Sequence, residues 1–107
     1  MKNLGQLMKQ AQEMQSRMAE LQEKLAALEI EGSSGGGMVR VTLNGKGDVR
    51  RVKIEPSLLR PEEAEVIEDL VVAAAADARA KVERVSSEEM AKVTGGLQLP
   101  PGMKLPF

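Results

Sequence analysis

The sequence predicts an α+β protein: a long N-terminal helix, a two- or three-stranded antiparallel sheet, a long C-terminal helix and an extended tail, paired as a dimer with projecting helices. Three observations predict it. Leu4, Leu7, Ala11, Met14, Met18, Leu21, Leu25 and Leu28 recur at alternating spacings of 3 and 4. Val39, Val41 and Leu43 alternate with Arg40, Thr42 and Asn44 just before a glycine-rich turn. An acidic, alanine-rich stretch then lies between Pro61 and a pair of glycines, Gly95 and Gly96.

The first pattern is the narrow seam of a coiled coil. Glu13 with Arg17, and Glu20 with Lys24, stand in the favourable i, i+4 order on its flanks. A helix over residues 3–29 would be about 40 Å long. That exceeds any core that 107 residues can form, so the seam requires a partner helix. The sequence GSSGGG at 32–37 stops the helix and reads as a flexible connection.

A hairpin over residues 38–55 follows, with Asn44, Gly45, Lys46 and Gly47 as its turn. Strict alternation on the return strand puts Val52 and Ile54 on one face with Arg50, and Val49, Arg51 and Lys53 on the other. Ile30 with its flanking glutamates is a candidate short third strand. The second helix is expected over residues 61–93. Pro61 suits its first turn, and Glu62, Glu63 and Glu65 suit the positive end of its dipole. Val66, Ile67, Leu70, Val71, Ala74, Ala78, Val82 and Val85 form its apolar stripe, with Ser86 and Ser87 a candidate kink. The tail, residues 95–107, carries two adjacent prolines and is expected to be extended. Its Leu97, Leu99, Met103, Leu105 and Phe107 are expected to dock on the rest of the chain. The whole of 1–107 reads as a single domain. So small a sheet leaves an open edge, and that edge together with the projecting seam argues for a homodimer.

Composition narrows the chemistry. Phe107 is the only aromatic residue, and Cys, His, Trp and Tyr are absent. No thiol nucleophile, imidazole base or Cys/His zinc site can be built, and no aromatic platform for stacked bases. An enzyme is not expected, nor a metal, a cofactor or a small-molecule substrate. The longest apolar run, residues 70–76, is far short of the roughly 20 residues that span a bilayer, so no membrane partner is expected. The absence of cysteine and of a signal-peptide pattern points to the cytoplasm.

Charge is segregated along a chain of net charge −1. Residues 38–55 carry Arg40, Lys46, Arg50, Arg51 and Lys53 against only Asp48 and Glu55, whereas residues 56–94 are strongly acidic. The hairpin is thus the candidate phosphate-contacting surface, the alternative being a solvated sheet face. Lys2 and Lys9, away from the seam, are further candidates. Arg17 and Lys24, by contrast, are first explained by Glu13 and Glu20, and Arg84 and Lys92 by Glu88. Gly45, Lys46 and Gly47 lack the spacing of a nucleotide-binding loop.

The blocks GGGMVRVTLNGKGDVRRVKIEPSLL and GGLQLPPGMKLPF, with the opening NLGQLMKQAQEMQSRMAELQEKL, resemble the YbaB/EbfC family of bacterial nucleoid-associated proteins over essentially the whole chain. The resemblance implies a small dimer with helices projecting like tweezer arms. It also implies duplex-DNA binding in the nucleoid, effects on DNA conformation and gene expression, and no catalysis. Which residues touch DNA rests on the charge pattern. A scarcity of base-reading features then implies phosphate contacts and weak sequence preference. The competing reading is a coiled-coil-type interaction adaptor or holdase-like chaperone, gripping protein partners with the Met-rich seam and apolar tail.

Overall fold

The computed structural model describes residues 3–94; the expectations for Lys2 and for the tail, residues 95–107, lie outside the described residues. Helix α1 (Leu4–Ala27) leads into strands β1 (Ile30–Ser34), β2 (Val39–Leu43) and β3 (Val49–Ile54), and helix α2 (Ala64–Thr94) follows. The strands form one antiparallel sheet in the order β1-β2-β3, so the class is α+β.

Helix α1 ends at Ala27, earlier than its seam suggests, because the residues beyond are recruited into the sheet. Leu28 is already extended at φ −69° and ψ 145°. Strand β1 then pairs residue for residue with β2, from Ile30 opposite Leu43 to Ser34 opposite Val39. The third strand is therefore real and longer than Ile30 and its glutamates implied. It includes Gly32, Ser33 and Ser34, so half of the expected flexible connection is sheet. The rest is a tight turn, Gly35–Gly37, with φ of 59°, 66° and 93°. Successive left-handed residues cost roughly 1–2 kcal/mol each with a Cβ, which is why this turn is built from glycine.

Helix α2 crosses the inner face of β1 and β2. Val39, Val41 and Leu43 meet Ala74, Ala78 and Val82 there, with Leu58 closing one end. Alanines at the crossing let helix and sheet approach closely. The Ser34 hydroxyl donates to the Leu70 carbonyl at 2.6 Å, the Ser33 N–H to Asp77 Oδ2 at 3.0 Å, and Lys81 Nζ to the Glu31 carbonyl at 3.0 Å. Helix α2 continues unbroken through Ser86 and Ser87.

The hairpin turn anchors the end of α1. Asn44, 3% exposed, accepts the N–H groups of Lys46 and Asp48 on Oδ1, at 2.9 and 3.0 Å. The Gly45 N–H donates to the Leu25 carbonyl at 2.7 Å. From that point α1 runs antiparallel to the second half of α2: Lys24 meets Glu89, while Arg17, Glu20 and Leu21 share a cleft with Lys92 and Val93. The seam therefore finds its partner helix within the subunit, but only along its second half. Leu21 and Leu25 are buried, Met14, Met18 and Leu28 half-buried, and Leu4 and Leu7 remain 61% and 58% exposed.

Two carboxylates tie these elements together and make stability acid-sensitive. Hydrogen bonds from Lys24 and then Lys92 hold the Glu89 carboxyl below its ordinary value of 4.5. The Ser33 N–H and then Lys81 hold Asp77 below 3.8. A folded-state pKa below the unfolded one contributes stability that is complete above the unfolded value and is lost as pH falls through the folded one. Thermal stability should thus be flat above about pH 5 and decline below it, and Glu89→Gln should flatten part of that decline. An identical acid limb in Glu89→Gln would show that the Lys24–Glu89–Lys92 cluster contributes nothing to it.

Candidate nucleic-acid interface

The sheet sorts the basic residues of the hairpin. Cross-strand register places Arg40 opposite Lys53 and Thr42 opposite Arg51 on the outer face, away from α2. Placing Arg40 and Lys53 side by side is unfavourable in itself, and an anion held between them would relieve the repulsion. Arg40 lies 3.9 Å from Glu31 and Arg51 lies 3.1 Å from Glu29, so two of these cations already share an acid. Lys46 at the tip, Arg50 and Lys53 are exposed and have no ion pair among the described residues.

One expectation about this strand is corrected. Thr42 pairs with Arg51 but Leu43 pairs with Val49, a β-bulge in which Val49 and Arg50 together oppose one residue. The bulge resets the alternation. Val49 therefore joins Val52 and Ile54 on the inner face, where strict alternation had put it with Arg51 and Lys53. Arg50 is the extra residue at the bend.

Lys9 is exposed on α1, 16 positions before Leu25, hence about 24 Å up the helix from the hairpin. The structure does not bring it together with Arg40, Lys46, Arg50, Arg51 and Lys53; it forms a second positive locus on the arm. Some cations explained by sequence neighbours behave differently in three dimensions. Lys24 bonds to Glu89 across the helix pair at 2.8 Å rather than to Glu20, and Lys92 bonds to Glu89 rather than to Glu88. Arg17 and Arg84 have no ion pair among the described residues, so each is a candidate contact that spacing to Glu13 and Glu88 concealed. Reach across the helix pair, invisible in local spacing, decided Lys24, while Lys92 takes the acid three residues before it in its own helix.

The inner face of β3 was the larger omission. Val49 and Val52 are 63% and 46% exposed because α2 covers β1 and β2 but not β3. Helix α2 presents Val72, 70% exposed, in one helical row with Ala76, Arg79 and Glu83. An open groove of about 1040 Å³ lies between Val49 and the Ala76, Arg79 and Glu83 row, and also reaches Leu25, Val82 and Met90. The signal was present in the sequence: residues 70–76 are apolar on every side of the helix, the pattern of a helix covered from more than one direction.

A sequence model of the YbaB/EbfC DNA-binding family matches residues 1–97. Among curated proteins, a nucleoid-associated protein of Paramagnetospirillum magneticum is 64% identical over 107 residues, covering all of both chains. Nucleoid-associated proteins of Granulibacter bethesdensis and Rhodospirillum rubrum are 63% and 60% identical with the same complete coverage. Among solved structures, an uncharacterized protein from Helicobacter pylori superimposes with a TM-score of 0.73 at 30% identity, over 87% of this chain and 97% of that one. A helix–hairpin–helix chain with a concentrated basic hairpin, matched along nearly its full length, belongs to the YbaB/EbfC DNA-binding family.

Proposed function

We infer that this chain is a nucleoid-associated homodimer that binds duplex DNA through phosphate contacts, with little sequence preference, and alters the conformation of the DNA it coats. The observation that carries the reading is the basic hairpin, where Lys53 stands without an acidic partner beside Arg40 and Arg51 on the outer sheet face and Arg50 is exposed at the bulge, within a DNA-binding family. The names of its relatives support a place in the bacterial nucleoid, and with it an influence on gene expression. No catalytic role is needed for this work. Phosphate contact is favoured over base reading because the cations lie on a sheet face rather than on a recognition helix.

Binding to labelled duplexes across about 50 to 200 mM salt tests the reading. If six to ten phosphates are neutralised, affinity should fall by roughly 10³ to 10⁵ over that range. Unrelated sequences should share the slope. A shallow slope, or one duplex strongly preferred over the others, would reject phosphate-dominated binding.

The homodimer rests on the open groove. Val49 lines it at the free edge of β3, Val52 and Val72 are further exposed apolar side chains of β3 and α2, and a second copy can offer the same residues across a two-fold axis. Pairing there also doubles the basic face. Val49→Asp with Val72→Asp should leave the fold intact, since both side chains are largely exposed, and should yield a monomer in sedimentation. Its DNA affinity should fall by about tenfold or more as two linked faces become one. A double variant that still sediments as a dimer would place the interface elsewhere.

A further inference from the structure

The seam of α1 loses its cover at a definite point. Helix α2 supplies the cover as far as Lys92 and Val93, which share a cleft with Arg17 and Glu20; α2 ends at Thr94 while α1 continues through residues 4–16. Burial changes accordingly, from Leu21 and Leu25 at 4% to Leu7, Met8 and Leu4 at 58%, 60% and 61%. Long apolar side chains thus line the arm without a partner from within residues 3–94.

The chain that follows Thr94 fits this stripe. Gly95 and Gly96 stop the helix, and Pro100, Pro101 and Pro106 keep the remainder from resuming it. Beyond the glycines every second residue is apolar: Leu97, Leu99, Pro101, Met103, Leu105 and Phe107. Their neighbours are Gln98, Pro100, Gly102, Lys104 and Pro106. In an extended chain that alternation gives one apolar edge. Thirteen extended residues at about 3.3 Å each reach about 43 Å, whereas Met18 to Leu4 spans about 21 Å of helix. The chain beyond Thr94 is therefore long enough to run the full length of the bare stripe.

We propose that residues 97–107 lie extended along α1 of their own subunit, toward its N-terminus, and cover Met14, Leu7 and Leu4 where α2 leaves off. The tail takes over the role of partner helix for the first half of the seam. It shields the arm from apolar self-association and leaves its polar side, with Lys9, facing outward. This inference does not depend on the DNA-binding reading.

Because Phe107 is the only aromatic residue, its ring protons report the location of the tail without ambiguity. Nuclear Overhauser contacts in the full-length protein should join the Phe107 ring to methyl groups of Leu4, Leu7, Met8 or Met14. They should appear within uniformly labelled subunits and not between differently labelled ones in a mixed sample. Contacts to Val49, Val82 or Met90 would place the tail in the groove and overturn the proposal. Contacts only between differently labelled subunits would give the stripe to a second copy, and random-coil shifts for Phe107 would leave it uncovered; either result also overturns it. Hydrogen exchange supplies a second reading. Leu99→Glu with Leu105→Glu should accelerate exchange at residues 8–14 by about tenfold or more while β2 is unchanged. Equal exchange in the two proteins would likewise reject the assignment.

Discussion

Gly32→Ala is expected to destabilise the fold by about 3 kcal/mol or more, the upper end of what overpacking a core costs. A Cβ on Gly32 would run into the backbone of α2, at the Ala74 carbonyl and the Ala78 amide, and would sit 2.7 Å from Ala78 Cα. Backbone atoms of a helix cannot swing aside as a side-chain tip can. Relief requires α2 to lift from β1, and that would loosen the fully buried Ala74 and Ala78 together with their contacts to Val39 and Val41. Urea unfolding should show a lower midpoint with little change in slope. Gly5→Ala is the matched control. A Cβ there meets nothing within 4 Å, and in the first turn of α1 the exchange should be neutral or slightly stabilising, by less than about 1 kcal/mol. Equal midpoints for Gly32→Ala and the native protein would mean that helix and sheet are not packed as closely as described.

Arg50→Glu with Arg51→Glu is expected to weaken duplex binding by about tenfold or more at low salt, and to reduce the salt slope by roughly one per lost phosphate contact. Each subunit changes by four charges at the face inferred to meet phosphate. The substitution also leaves Glu29 without its partner at 3.1 Å, adding one more unbalanced negative charge there. Both arginines are exposed, so the fold should survive, and the circular dichroism of the variant should match the native protein. Arg50→Gln with Arg51→Gln should show a smaller loss, because it removes attraction without adding repulsion. Undiminished affinity in the folded Glu variant would remove the hairpin from the site and direct attention to Lys9, Arg17 and Arg84 on the arms.

These predictions draw on different levels of the chain. The periodicities at 4–28 and 39–43 were enough to expect α1, β2 and the helix-flanked sheet, because period and turn chemistry act between near neighbours. The basic hairpin was equally legible, since Arg40, Lys46, Arg50, Arg51 and Lys53 are concentrated within one short segment. The same local rules misplaced Val49, because a bulge arises from how β3 meets β2 and not from β3 alone. They also gave Lys24 to Glu20, where a helix 65 residues away supplied Glu89 instead. The reading of GSSGGG as a flexible link failed for a related reason. Ser33 and Ser34 have weak intrinsic preference for strand, and pairing with Arg40 and Val39 overrides it.

By itself the sequence determined the two helices and the β2–β3 hairpin, that positive charge gathers on that hairpin, and that stacking platforms, thiols and imidazoles are absent. Those properties depend on residue type and on spacing within a few turns. Only the tertiary structure decided that α2 covers two strands and leaves Val49 and Val52 of the third exposed, that Gly32 is a point of backbone contact, and that half of the α1 seam is sealed within the subunit. Each of these depends on the place where two distant segments meet, and one residue of bulge or one turn of helix is enough to change it.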